Sequence, residues 1–136
     1  MSQARKLTPK IRNYGLHLTL DGYGANSDKL NDIALLFETL NTLPAKIGMN
    51  KIGFPQIAQF KDKEIFGISG IMMIVESHIS IHTYPKKKFI SADVYSCKNF
   101  NYQVVVKHLK KIYRIKKLEI NVIDRGKNFP VNNFSI

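Results

Sequence analysis

The chain has 136 residues, which is enough for one domain with its own hydrophobic core but too few for an enzyme with a separate cofactor domain. Hydrophobic residues make up 44% and charged residues 23%, so wholesale disorder is excluded. Lysine and arginine total 21 against 10 acidic residues, which gives a formal net charge of +11. Such a surplus is compatible with nucleic acid, an anionic surface or simple solubility, and it does not determine the fold.

Cysteine usage and hydropathy indicate a compartment. The only cysteine is Cys97, so an intrachain disulfide is excluded and nothing indicates an oxidising environment. No apolar run approaches the roughly 20 residues that span a bilayer. Residues 1–7 lack the apolar core of a signal peptide. We therefore expect a cytoplasmic protein without a membrane segment.

The first part of the chain combines a basic segment with a strand. Residues 1–13 are basic and polar, which is typical of a flexible terminal arm, and residues 14–136 are expected to form a single domain. Over residues 15–23, three leucines alternate with His17 and other polar residues, and this period of two predicts a half-buried strand.

Two helices are predicted from apolar residues at helical spacing. Ser27 is a suitable N-cap for a helix over residues 28–43, which Pro44 is expected to end. A second helix is predicted over residues 101–113, and its lysines are typical of a solvated surface. The expected apolar faces comprise, for the first helix, Leu30, Ile33, Phe37 and Leu40, and for the second Val105, Leu109 and Ile112.

The hydrophobic pattern predicts four further strands, over residues 68–75, 77–84, 89–97 and 118–123. The element order is strand, helix, several strands, helix, strand. It predicts an α+β fold, a two-layer α/β sandwich in which helices cover one face of a mostly antiparallel sheet.

One face of this sheet carries an unusual set of side chains. Alternation places His78, Ser80 and His82 on one face of a strand, with Asp93 and Cys97 on the next strand. A solvated face would instead show lysine, glutamate and threonine. We therefore expect this face to meet another subunit or to form a site.

Several chemistries compete for this polar face. Phosphate-loop, dinucleotide, CxxC and HExxH motifs are absent from the sequence. His78 and His82 could share a metal with Cys97 or Asp93, but the ligand set is incomplete and no metal site is predicted. A hydrolase nucleophile at Ser77 is disfavoured, because the nucleophile elbow needs a small residue where His78 stands. Nucleic-acid binding is motivated by the charge, but the aromatic residues do not cluster on one strand pair.

A short sequence motif distinguishes between these possible chemistries. The run from Glu76 to Thr83, which reads Glu-Ser-His-Ile-Ser-Ile-His-Thr, is followed by Asp-Val-Tyr-Ser-Cys over residues 93–97. It resembles the self-processing segment of the prokaryotic S-adenosylmethionine decarboxylases, and the likeness extends over roughly residues 15–125. The resemblance implies a self-cleaving, pyruvoyl-dependent decarboxylase of polyamine synthesis, a carboxy-lyase.

The resemblance also implies how the cofactor arises. The hydroxyl of Ser77 attacks the carbonyl of Glu76, and the chain is cut into a β chain of residues 1–76 and an α chain of residues 77–136. Ser77 is thereby converted to a pyruvoyl group. This group binds the substrate amine as a Schiff base and accepts the electrons released with carbon dioxide.

Three further roles follow from the same resemblance. His82 and Ser69 correspond to residues that assist processing. Cys97 corresponds to the proton donor, which requires a neutral thiol. The family forms dimers whose sheets face each other, so Ser77 and Cys97 of one protomer are expected to meet Ser69 and His82 of its partner.

The match breaks at positions that contact the nucleoside. Lys86 stands where the family has a glutamate that binds the ribose hydroxyls, and an ammonium can only donate hydrogen bonds. Lys63 stands where many members have a phenylalanine that stacks on adenine, and Phe60 or Phe66 are the candidates to replace it. Lys98 replaces a glycine after the cysteine.

The substrate is therefore left open. S-adenosylmethionine is the family default, and arginine or ornithine is the alternative, because some relatives of the family decarboxylate these amino acids. A third reading is a non-catalytic paralogue that regulates a partner subunit.

Overall fold

Six strands form one antiparallel sheet in the computed structural model, which describes residues 14–130. The arm predicted over residues 1–13 lies outside the described residues, as do residues 131–136. The order across the sheet is β2-β3-β4-β5-β1-β6. The strands are β1 (Gly15–Tyr23), β2 (Lys51–Lys61), β3 (Phe66–Ile74), β4 (Ser77–Tyr84), β5 (Phe89–Ser96) and β6 (Lys117–Arg125).

Helices pack on one face of the sheet, so the predicted two-layer α+β architecture is confirmed. They are α1 (Ser27–Leu30), α2 (Ile33–Lys46) and α3 (Tyr102–Tyr113), and a 3-10 turn (Pro85–Lys87) joins β4 to β5. No helix among the described residues is long and apolar enough to cross a membrane.

The first predicted helix was wrong in its continuity and its end. The chain breaks after Leu30, and α2 starts anew because the side chain of Asp32 accepts a hydrogen bond from the backbone of Leu35. Pro44 lies inside α2 rather than ending it. Proline has no N–H to donate to the carbonyl of Leu40, and the helix ends two residues later at Lys46.

The break also shifts the apolar face of this helix. Ile33 and Phe37, predicted to be buried, are 43% and 39% exposed. The buried side chains are those of Leu36, Leu40 and Leu43, which have the phase of the restarted helix. The second predicted helix is confirmed as α3, with Val105 and Leu109 buried.

The core lies between the helices and the inner face of the sheet. Leu16, Leu18 and Leu20 of β1 are buried as the alternation predicted. On β3, Gly70 lets α2 approach closely, because a Cβ at this position would lie 2.5 Å from the Cδ1 atom of Leu40. The close approach brings α2 directly against β3, next to the edge of the sheet.

Strand β2 was not predicted from the sequence. It is an edge strand that pairs only with β3, and its register shifts between Ile52 and Gln56. Gly53 has a positive φ of 71°, and Pro55 also lies within this irregular segment. Both residues suppress the sequence pattern of a strand, yet an edge strand with a bulge accommodates them.

The opposite face of the sheet, here called the outer face, is not covered by the helices. It carries the alternate residues of β1, β3, β4 and β5, and the polar ones among them are mostly half-buried. Apolar side chains are exposed on the same face, among them Ile71 at 42% and Met73 at 56%. The candidate functional residues lie on this face and at its ends.

Candidate active site

The turn between β3 and β4 holds the residues at which cleavage is expected. Ile74 pairs with Ser77, so Val75 and Glu76 form a two-residue loop. Glu76 has a φ of 60°, a left-handed conformation that glycine adopts more easily at the second position of such a turn. The Ser77 hydroxyl donates to the carbonyl oxygen of Glu76, so the hydroxyl lies against the peptide that it would attack.

The end of β5 reaches the same turn through Cys97. Its backbone N–H donates to the Ser77 Oγ atom at 3.0 Å, and its thiol donates to the Glu76 Oε1 atom, also at 3.0 Å. Partial burial, followed by the hydrogen bond to Glu76 and the charge of Glu76, raises the pKa of the Cys97 thiol. The thiol is therefore held neutral at ordinary pH, as a proton donor must be. Glu76, Ser77 and Cys97 are called the cleavage half-site below.

Ser69 and His82 form a second pair of predicted residues. They face each other across β3 and β4, and the Ser69 Oγ atom lies 2.8 Å from the His82 Nδ1 atom. This pair, called the histidine half-site below, lies on the outer face.

The two half-sites are separated within one chain. Ser77 and His82 both belong to β4 and are five positions apart, which corresponds to roughly 16 Å along a strand. A direct contact between their side chains within one protomer is excluded at that distance. The predicted residues are thus brought into two groups rather than one.

A hydrogen-bonded cluster lies between the half-sites on the outer face. Asp93 accepts from Ser80, and its Oδ2 atom lies 2.7 Å from the His17 Nε2 atom and 3.0 Å from the His78 Nε2 atom. Burial opposes ionisation of Asp93, but the hydrogen bonds from Ser80, His17 and His78 outweigh it and keep the pKa of Asp93 below its usual value.

This cluster brings together three potential metal ligands, with ligand atoms within 4.8 Å of one another. Its members are His17, His78 and Asp93, whereas His82 is paired with Ser69 and Cys97 with Glu76. An arginine has only donors, so Arg125, at 2.9 Å, makes the His17 Nδ1 atom an acceptor and leaves the ring proton on Nε2. Because a metal would need the Nε2 lone pair, this geometry favours a hydrogen-bonded cluster.

An aromatic cleft of about 430 Å³ opens beside His82. Most of its lining was not predicted from the sequence, although alternation on β4 and β5 puts much of it on the face of His82. The lining residues are Ile65, His82, Tyr84, Lys87, Phe89 and Ser91. Ser91 also donates a hydrogen bond to Asp21 of β1 at 2.8 Å, which places a carboxylate near the cleft.

Of the three residues predicted to contact substrate, only Phe60 packs against the lining of this cleft. Phe60 is on β2 with its ring 6.1 Å from that of Tyr84, whereas Phe66, by strand alternation, falls on the opposite face with Ile68. Lys86 is exposed on the 3-10 turn, and its neighbour Lys87, rather than Lys86, lines the cleft.

The other two lysines that depart from the family pattern are also exposed. Lys63 lies in the loop before β3, and Lys98 follows Cys97. His17 was missed as a site residue, although its alternation with the leucines of β1 already placed it on the polar face.

The comparisons with known proteins all point to the same family. The family model described as S-adenosylmethionine decarboxylase matches residues 16–126. A protein of Clostridium botulinum (strain Langeland), named S-adenosylmethionine decarboxylase proenzyme, is 37% identical over 114 residues, covering 83% of this chain and 95% of that protein. A protein of the same name from Persephonella marina is 29% identical over 119 residues, covering 85% of this chain and 84% of that protein.

A solved structure agrees with these relatives. The crystal structure of the adenosylmethionine decarboxylase from Aquifex aeolicus superposes with a TM-score of 0.67 at 28% sequence identity. The match covers 91% of this chain and 98% of that one.

The fold and these relatives define the class of the protein as a carboxy-lyase of a pyruvoyl-dependent family. The chain belongs to the S-adenosylmethionine decarboxylase family, as the resemblance implied.

Proposed function

We propose that this chain is a proenzyme that cuts itself between Glu76 and Ser77 and then decarboxylates S-adenosylmethionine in polyamine synthesis. The observation that carries the proposal is the contact of the Ser77 hydroxyl with the carbonyl oxygen of Glu76, at a strained turn to which Cys97 is also hydrogen-bonded. The pyruvoyl group that replaces Ser77 would supply an electron sink for the electrons that carbon dioxide leaves behind.

The cut proceeds through groups of this chain. The Ser77 Oγ atom attacks the carbonyl carbon of Glu76, the hydroxyl proton passes to the Ser77 nitrogen as the C–N bond breaks, and an ester with a free amine replaces the peptide bond. A base then removes the Cα proton of Ser77, and the main-chain carboxylate of Glu76 leaves from the Cβ atom of Ser77. The resulting dehydroalanine tautomerises to an imine, and water displaces ammonia to leave the ketone. The left-handed backbone of Glu76 favours the first step, because breaking the peptide bond releases the constraint.

The separation of the half-sites supports a dimer. His82 is the candidate base for the elimination, yet it lies about 16 Å from Ser77 along its own strand. The outer face, which no helix among residues 14–130 covers, is the surface on which a second copy would pack, with its half-buried polar cluster and its exposed Ile71 and Met73. If two outer faces meet about a two-fold axis, the histidine half-site of one protomer completes the cleavage half-site of its partner.

The substrate follows from the family. The relatives described above are named for S-adenosylmethionine, and nothing in the comparison supports the arginine or ornithine alternative. The cleft beside His82 offers aromatic rings of Tyr84 and Phe89 for a purine, in place of the phenylalanine that Lys63 replaces. Phe60, whose ring contacts Tyr84, extends the same aromatic surface. The cytoplasmic location stays a prediction.

Two measurements test the proposal. Intact mass should show two fragments split between Glu76 and Ser77, with an α chain that lacks a free amine, and Ser77→Ala should give one uncut chain. The purified protein should then release carbon dioxide from carboxyl-labelled S-adenosylmethionine in preference to labelled arginine or ornithine. A chain that stays uncut would overturn the proposal, whereas a cut protein that releases carbon dioxide from none of the three would favour the non-catalytic paralogue.

A further inference from the structure

The side chain of Glu76 has no part in the processing steps above, which use only its backbone carbonyl. Its carboxylate nevertheless faces the site and accepts the hydrogen bond of the Cys97 thiol, with the Oε1 atom 3.0 Å from Sγ. We propose that the Glu76 carboxylate is a positioning residue that keeps Cys97 protonated and directs its S–H group within the site. The assignment of Cys97 as proton donor rests on the proposed function, whereas the effect of Glu76 on the thiol does not.

The local backbone holds the two groups together. Glu76 is the second residue of a two-residue loop, and the strand pairing resumes at Ser77. Cys97 is tied to the same turn because its N–H donates to the Ser77 Oγ atom. The positions of both side chains are therefore set by backbone contacts on either side.

The chemistry of the pair selects one protonation state. A carboxylate at neutral pH only accepts hydrogen bonds, so it can be paired with a thiol but not with a thiolate, which it repels. The nearby ionisable groups are the phenols of Tyr14 and Tyr95 and the exposed ammonium of Lys98, the next residue in the chain. The raised pKa of the Cys97 thiol has burial as its largest cause and Glu76 as the next.

The same contact has a consequence for turnover. After carbon dioxide has left, the substrate carbon forms a C–H bond with the proton of Cys97, the S–H bond breaks, and a thiolate remains. This thiolate lies beside the Glu76 carboxylate, and the repulsion drives it to recover a proton from water. In a cut chain the new terminal carboxylate of Glu76 would add a second negative charge that acts in the same direction.

The first test uses the single cysteine of the chain. In a Ser77→Ala background, which is expected to stay uncut, the rate of alkylation by iodoacetamide follows the thiolate fraction of Cys97. Adding Glu76→Gln should accelerate alkylation at about pH 8 by roughly twofold to fivefold, the effect of one charged contact at a partly exposed site. The matched control is Glu38→Gln, which removes an exposed carboxylate on α2, behind the sheet, and should leave the rate unchanged. A rate equal to that of the control would overturn the proposal.

The second test uses the protein with Ser77 intact. In Glu76→Gln the alkaline limb of the decarboxylation rate should move to lower pH, and inactivation by misplaced protonation should become more frequent per turnover. Glu76→Asp, which keeps the charge, should restore part of both effects. An alkaline limb identical to that of the unmodified chain would count against the role of Glu76 in turnover.

If Glu76→Gln neither folds nor processes, Glu76→Asp in the Ser77→Ala background decides, because its retracted carboxylate should also accelerate alkylation. Alkylation requires neither cleavage nor substrate, so failure of this inference is distinguishable from failure of the proposed function.

Discussion

The proposal that each site is shared between two protomers makes a quantitative prediction for mixed dimers. Ser77→Ala removes the nucleophile, and His82→Ala removes the histidine about 16 Å away on the same strand, so neither variant alone should be cut. In a dimer containing one chain of each kind, one site has both residues intact and the other has neither. Only the chain that carries the His82→Ala substitution should be cleaved, because its Ser77 meets the intact His82 of the partner.

The expected yield follows from random pairing. With equal amounts of the two chains, about half of the dimers are mixed, and one chain in each mixed dimer is cut, so about one quarter of all chains should be cleaved. A site built within one chain would instead give no cleavage in the mixture.

The assay is co-expression of the two variants with different affinity tags. Tandem purification isolates the mixed dimers, and intact mass shows which chain has been cut. Isolated mixed dimers should have about half of their chains cleaved, all of them carrying His82→Ala. Uncut mixed dimers, or cleavage of the His82→Ala variant by itself, would refute the reasoning, and failure to recover any mixed dimer would refute the assembly.

Three further predictions concern the proposed proton donor Cys97, the carboxylate of Asp93 and the packing of the core at Gly70. Cys97→Ala should still be cleaved but should inactivate during turnover by transamination, which is seen as a falling rate and a mass change of the α chain. Because the folded-state pKa of Asp93 is lowered, its stabilisation is present above the unfolded-state pKa and is lost as pH falls through the folded-state value. Asp93→Asn should therefore flatten the decline of unfolding free energy below about pH 4, measured by urea titration; an unchanged decline would contradict this. Gly70→Ala should lower the unfolding free energy by about 1–3 kcal/mol, because its Cβ would meet Leu40, and a neutral result would show that α2 moves aside.

Part of the fold was predictable because its signal is local. The alternation of β1 and β4 survives in the sequence, since one side of each strand faces the core and the other does not. The break between α1 and α2 was missed because its cause is a cap by Asp32 inside an otherwise helical pattern. Strand β2 was missed because Gly53 and Pro55 interrupt the alternation, and only its position at the edge of the sheet permits them.

The candidate site residues were named through the resemblance, and local sequence patterns alone predicted less of how they are grouped in space. Alternation correctly placed His78 and His82 on one face, but no local pattern shows that Cys97 reaches the turn at Glu76. His17 joins Asp93 only because β1 lies between β5 and β6, an order that the sequence does not reveal. The contacts that distinguish the half-sites are thus tertiary, and strand order decides them.

The strand order also determines what a cut after Glu76 would do to the molecule. One fragment would hold β1, β2 and β3, and the other β4, β5 and β6, yet β1 lies between β5 and β6. Three of the five strand boundaries in the sheet would then join different polypeptides. Because strands of the two fragments are hydrogen-bonded to each other within one sheet, the fragments should co-purify without any covalent link and unfold in a single thermal transition.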